Sequence, residues 1–177
     1  MEFRSFAPEL EVRSLSKRLL CGIVVPYGVD QRIDESLTER FEAGTFAHQF
    51  RAAHRVRLLN LHSIVPGHMQ LGHAAELRDD RAGLYGEFRV VEGVLGDHFL
   101  ALAREGSLRE WSIGFTPDTT RRDGRTVVYT KATVFETALV PEGAYGELAA
   151  VGQVRSALPV LTRDTLLARL PKPRFPA

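Results

Sequence analysis

The chain has 177 residues, 44% of them apolar, enough for one cored domain and hardly two. Its formal net charge is +1, with 23 Lys and Arg against 22 Asp and Glu and no basic tract, so it lacks the electrostatic footprint of a nucleic-acid binder. No apolar run approaches the roughly 20 residues that span a bilayer, and MEFRSFAPEL carries charges where a secretion signal has an apolar core, so a soluble, cytosolic protein is expected.

The 15 Gly and 9 Pro, set among short apolar runs, indicate many turns and mostly β structure. LEVRSLS alternates loosely and suits a first strand. RLLCGIVVPY (18–27) reads as a strand, with Gly22 at a bulge or close contact and Pro26 at an edge or an end. Cys21, the lone cysteine, falls in this apolar run and reads as buried; with no second cysteine, no internal disulfide is possible. GVDQRIDESLTERF reads as a loop, and its acidic residues Asp30, Asp34, Glu35 and Glu39 fit ordinary surface better than a cation site. Thr45 is placed to cap a helix over 46–53.

VRLLNLH (56–62) reads as a central strand, with Val56, Leu58, Asn60 and His62 on one face and Leu59 and Leu61 on the other. Strands near 72–78 and 84–90 flank a turn at 79–83. Asp97 is placed to cap a helix over 98–105 that Gly106 ends. REWSIGFTP reads as a short strand, with Trp111, Ile113 and Phe115 opposite Ser112, Gly114 and Thr116. DTTRRDGR then reads as a solvated turn, tightest at Asp123-Gly124. Residues 126–140 give the longest strand signal, with Val134, Glu136, Ala138 and Val140 on one face. LAAVGQVRS suits a last strand near 148–154, and TRDTLLARL a short helix after Thr162.

Three residues carry the candidate chemistry. His62 stands at a strand end, although a strand histidine beside apolar residues is often only a satisfied polar side chain. Ser112 belongs to a small polar stripe backed by large apolar residues, which gives a nucleophile open space on one side and rigid packing on the other. No GxSxG elbow is present. Glu136 lies among apolar residues on both faces, so it needs a partner: an arginine in a buried salt bridge, or the free N–H of His62. Three strands of one domain could bring these residues together. A metal site at His62, His68 and His73 is the weaker alternative, because HExxH and cysteine pairs are absent.

At these residues the chain resembles the HK97-type prohead proteases, the capsid maturation proteases of tailed phages. The resemblance runs over about residues 12–155 through GIVVPYG, FEAGTF, RLLNLH with QLG, AGLYGEF, REGSLREWSIGF and VFETALVPEGAYGE. It departs at TALV, where the family usually has a serine, and at PEGAYGE, in place of Pro-Ala-Asn. The family's histidine, serine and third catalytic member fall on His62, Ser112 and Glu136. By this resemblance the fold is mainly β with flanking helices, a closed, mostly antiparallel β-barrel of about seven strands like that of the herpesvirus assemblins. Residues 1–155 would form the protease domain, and 156–177 a short helix and Pro-rich tail. The implied activity is a serine endopeptidase with a Ser-His-Glu triad and no cofactor or metal. Its substrate would be the scaffold protein or the capsid protein's scaffolding region, inside the immature procapsid in the host bacterial cytoplasm. A homodimer or higher assembly is expected, as in the related assemblins, with oxyanion donors at Pro141–Ala144. An inactive β-barrel that binds scaffold or assists capsid assembly is the competing class.

Overall fold

A computed structural model describes residues 18–33, 35–62, 66–141, 149 and 151–155. The first-strand segment LEVRSLS, Asp34, the turn after Pro141 and everything from 156 on, including the expected helix after Thr162, lie outside the described residues.

The described residues build one mainly β sheet of nine strands: β1 (Leu19–Pro26), β2 (Gln31–Arg32), β3 (Thr38–Phe41), β4 (Arg57–Leu59), β5 (Gln70–Asp79), β6 (Gly83–Val90), β7 (Glu110–Asp123), β8 (Thr126–Val140) and β9 (Val151–Arg155). A 3₁₀-helix (Ala47–Arg55) and α1 (Val94–Glu105) flank it. The strand order is β2-β3-β8-β4-β5-β6-β1-β9, with β7 on the other side of β8. The core combines Leu20, Leu58, Leu71 and Leu84 with two aromatic groups. Phe41 stacks on Tyr129 at 4.7 Å and meets Phe115 edge-on at 5.2 Å, while Phe88 packs on Trp111 at 4.8 Å.

The expected closed barrel is instead an open half-barrel. Closure needs a ladder between β7 and the last strand, but β9 pairs along β1, from Leu19↔Arg155 to Gly22↔Val151. Among the described residues β9 meets the β7 end through one backbone bond, Val151 N–H to Arg109 O at 2.7 Å. The sheet also branches. One edge of β8 takes two parallel strands in succession, β3 from Thr126 to Tyr129 and β4 from Glu136 to Ala138. Gln49 of the 3₁₀-helix serves the gap between them. Its amide donates to Val134 O at 2.7 Å and accepts from Val134 N–H at 2.8 Å, so a side chain stands in for a missing strand.

Several local expectations change. GVDQRIDESLTERF contributes β2 and β3 rather than loop alone. Thr45 does not cap a helix; it is fully buried and its hydroxyl reaches Glu42 O at 2.6 Å and Tyr129 O at 2.9 Å, tying the turn before the 3₁₀-helix to β8. Asp97 lies in the first turn of α1, not before it, and pairs with Arg18; Gly93 precedes the helix. Gly106 does end α1, in the left-handed conformation with φ 77°. Cys21 is buried, Pro26 closes β1, and β1 shifts register against β9 between Cys21 and Gly22, as its glycine suggested.

DTTRRD is strand, not turn. β7 runs unbroken to Asp123 and turns back into β8 through Gly124, at φ 59°, and Arg125. From Thr116 to Asp123 it is exposed throughout, so the far part of the β7–β8 hairpin lies at the surface.

Candidate active site

The body end of the same hairpin is built differently. Trp111, Ile113 and Phe115 of β7 stand opposite Leu139, Thr137 and Val134 of β8, and Ser112 and Gly114 stand opposite Ala138 and Glu136. This register skips Phe135. One extra residue on β8 is a β-bulge, and it breaks the alternation expected for residues 134–140. Val134 and Leu139 both belong to the core, so before the bulge the even residues face inward and after it the odd ones do. Glu136 and Ala138 are thereby turned to the face that carries Ser112.

Gly114 makes this arrangement sterically possible. A Cβ there would sit 2.6 Å from Cγ and 3.0 Å from Oε1 of Glu136, and 2.9 Å from Cε2 of Phe135. Only a residue without a side chain lets the carboxylate lie beside β7.

β4 ends at Leu59, three residues before His62, so His62 belongs to the following loop and not to the strand predicted over 56–62. Leu58 and Leu59 are both buried, and β4 shifts register against β5 between them. Asn60 closes the neck of the loop. Its N–H donates to Met69 O at 3.1 Å and its side-chain oxygen accepts from Met69 N–H at 2.5 Å. The imidazole thus leaves the sheet two residues beyond a fixed point.

The three candidates meet. His62 Nε2 lies 2.8 Å from Ser112 Oγ, and His62 Nδ1 lies 3.0 Å from Glu136 Oε1. Both are hydrogen-bond distances, and both use the outer nitrogens of one ring. The Glu136 side chain is 3% exposed and that of His62 26%, so the carboxylate is sealed while the imidazole reaches solvent.

Arg57 was not among the sequence candidates. Its Nη2 donates to Glu136 Oε2 at 3.1 Å. The carboxylate therefore has both partners that the sequence offered as alternatives, a histidine on one oxygen and an arginine on the other. The positive charge compensates the buried negative one. The parallel register Arg57↔Glu136 places it there, and no local pattern in the sequence reports that pairing.

His68 and His73 do not join His62. His73 stands on β5 opposite Arg57, and among the described residues no group of three His, Cys, Asp or Glu side chains gathers as a metal site. The acidic loop residues Asp30 and Glu39 are separately engaged: Asp30 pairs with Arg40, and Glu39 is buried in β3. Of the expected oxyanion segment only Pro141 is described.

An open β sheet carrying a Ser-His-Glu contact on its outer face calls for comparison with known serine hydrolases. The chain belongs to the caudovirus prohead serine protease family, whose model matches residues 8–158. That membership places it among the serine proteases and in phage capsid maturation. No curated protein sequence matches it.

Proposed function

We propose that the chain is an endopeptidase in which Ser112 is the nucleophile, His62 the general base and Glu136 the residue that orients His62. Its substrate is the scaffold protein, or the scaffolding region of the capsid protein, within the procapsid in the host cytoplasm. The observation that carries the reading is the pair of contacts on one imidazole, 2.8 Å to the hydroxyl and 3.0 Å to the carboxylate.

His62 Nε2 takes the Ser112 proton as Oγ attacks the scissile carbonyl. Glu136 accepts Nδ1–H, which fixes the tautomer and stabilises the imidazolium as it forms. The imidazolium gives its proton to the leaving amine, whose C–N bond breaks and leaves an acyl-Ser112. Water, deprotonated by His62, then attacks the acyl carbon; the bond to Ser112 Oγ breaks, the imidazolium returns its proton to Oγ, and the new carboxyl terminus leaves. Arg57 keeps the buried acid charge-compensated throughout. Among the described residues β8 is the only strand that ladders with β7, so an extended peptide could reach Ser112 from the opposite edge of β7 and add to it as a strand.

The test is co-expression with the scaffold protein and the capsid protein. The parental protein cleaves, Ser112→Ala does not, and the variant keeps its β-rich circular dichroism. Cleavage by Ser112→Ala at the parental rate sinks the assignment. The same reading carries a homodimer or higher assembly, which light scattering checks; a monomer at high concentration counts against it.

A further inference from the structure

Seven large apolar side chains are exposed among the described residues, and three of them sit on the segments that carry the site. Leu61 and Met69 belong to the loop of His62, and Phe135 precedes Glu136. Phe135 has the most defined placement. It is the extra residue of the β8 bulge, and the absent side chain of Gly114 leaves room for its ring: Cε2 lies 2.9 Å from where a Gly114 Cβ would be. The ring therefore lies over β7, two residues from Ser112, on the face where Glu136 and Ser112 stand. It is 39% exposed, although Val134 on one side and Glu136 on the other are buried. A phenylalanine half open to water beside a nucleophile gains by covering its free surface with a ligand.

We propose that Phe135 is a specificity-determining residue, its exposed ring forming the wall of a subsite beside Gly114, and that it selects an apolar side chain in the peptide beside the scissile bond. The occupant is an extended protein segment, because the site continues directly into the Ser112 face of a serine protease. The inference rests on Ser112 being the nucleophile. An extended peptide meeting Ser112 Oγ with its carbonyl passes Gly114 on one side, and there the Phe135 ring offers it hydrocarbon, while the nearby Glu136 carboxylate is already engaged by His62 and Arg57. A substrate residue with a charged or strongly polar side chain at that position would lose water without gaining a partner.

A mixed peptide library, digested and read by mass spectrometry on both sides of the cut, tests this. Labelling of Ser112 in the unsubstituted protein by a fluorophosphonate tests the nucleophile separately. The expected result is enrichment of Phe, Leu, Met or Ile at one position flanking the cut. Phe135→Ala lowers kcat/KM for those peptides by roughly 10–100-fold. Phe135→Asp moves the preference at the same position towards Lys and Arg, which a loss of folding alone could not do. Phe135→Leu, the conservative change, retains the apolar preference. Identical cleavage profiles for the parental protein and Phe135→Asp, with Ser112 labelled, overturn the inference and leave the catalytic reading standing. An unlabelled Ser112 with an uncut library overturns both.

Discussion

Among the described residues two hydroxyl–imidazole–carboxylate groups stand out, and in one of them alone does the imidazole lie between the other two. At the body end of the β7–β8 hairpin, His62 bridges, with Ser112 on Nε2 and Glu136 on Nδ1. Further along the same hairpin, His48 Nε2 lies 3.1 Å from Thr133 Oγ1, and Thr133 Oγ1 donates to Asp118 Oδ2 at 2.9 Å. There the hydroxyl bridges, and its proton already points at the acid. Asp118 is 3.9 Å from the same Nε2, not on the opposite nitrogen, and both its side chain and that of His48 are about a third exposed. Matching residue types are therefore insufficient. The imidazole must stand between the other two, and the acid must be shut away from water so that it holds one tautomer.

Paired substitutions break or sharpen that contrast. The largest expected effect is at the hydroxyls: Ser112→Ala lowers kcat by on the order of 10⁴–10⁶-fold in scaffold cleavage, whereas Thr133→Ala leaves it within about twofold. Next come the acids. Glu136→Gln costs about 10⁴-fold, because the imidazole keeps a partner but loses the charge that stabilises its protonated form. Asp118→Asn has no measurable effect on the rate. Equal losses from both members of either pair would mean that the two clusters act together.

Stability measurements extend the comparison to smaller effects. Gly114→Ala forces a methyl group against Glu136 and costs about 1–3 kcal/mol in urea unfolding, with activity lost alongside. A Gly114→Ala protein of parental stability and rate would remove the steric argument for the glycine. Arg57→Leu leaves Glu136 one partner short. The cost is about 1–2 kcal/mol, below that of a fully buried pair because the Arg57 side chain is 40% exposed. The last pair consists of chain neighbours: Gln49→Ala unpairs both backbone groups of Val134 and costs about 1 kcal/mol, while His48→Ala changes stability by less than about 0.5 kcal/mol.

Much of the site was legible because burial and charge conflict visibly there. A glutamate among Val134, Phe135, Ala138 and Leu139 announces a partner, and a serine on the small face of Trp111-Ser112-Ile113 announces exposure opposite a core. What the sequence hid was non-local. Strict alternation cannot register the Phe135 bulge, which decides that Glu136 faces Ser112 while Val134 faces the core. Arg57 depends on a parallel register with a strand 79 residues away. DTTRRD lacked apolar alternation because it is exposed along its whole length, and such a strand reads like a loop. Thr45 and Asp97 have cap-forming side chains, but a buried backbone contact claimed the first and Arg18 the second. Strand closure was illegible for a related reason: the sequence indicates strand-forming segments, not how many neighbours each ladder takes.

The Asn60–Met69 neck gives the protein a division between inheritance and novelty. Two of the three candidate residues, Ser112 and Glu136, are locked into strand register, where a single insertion would turn them to the wrong face. The third hangs from a loop whose base is sealed independently of its contents. Lineages that keep His62 can therefore change the loop residues around it and re-aim the imidazole without renegotiating the sheet. Divergence in this fold should collect around His62 beyond that neck, and a designer wishing to re-aim the imidazole without disturbing the core has a defined set of flanking residues to change.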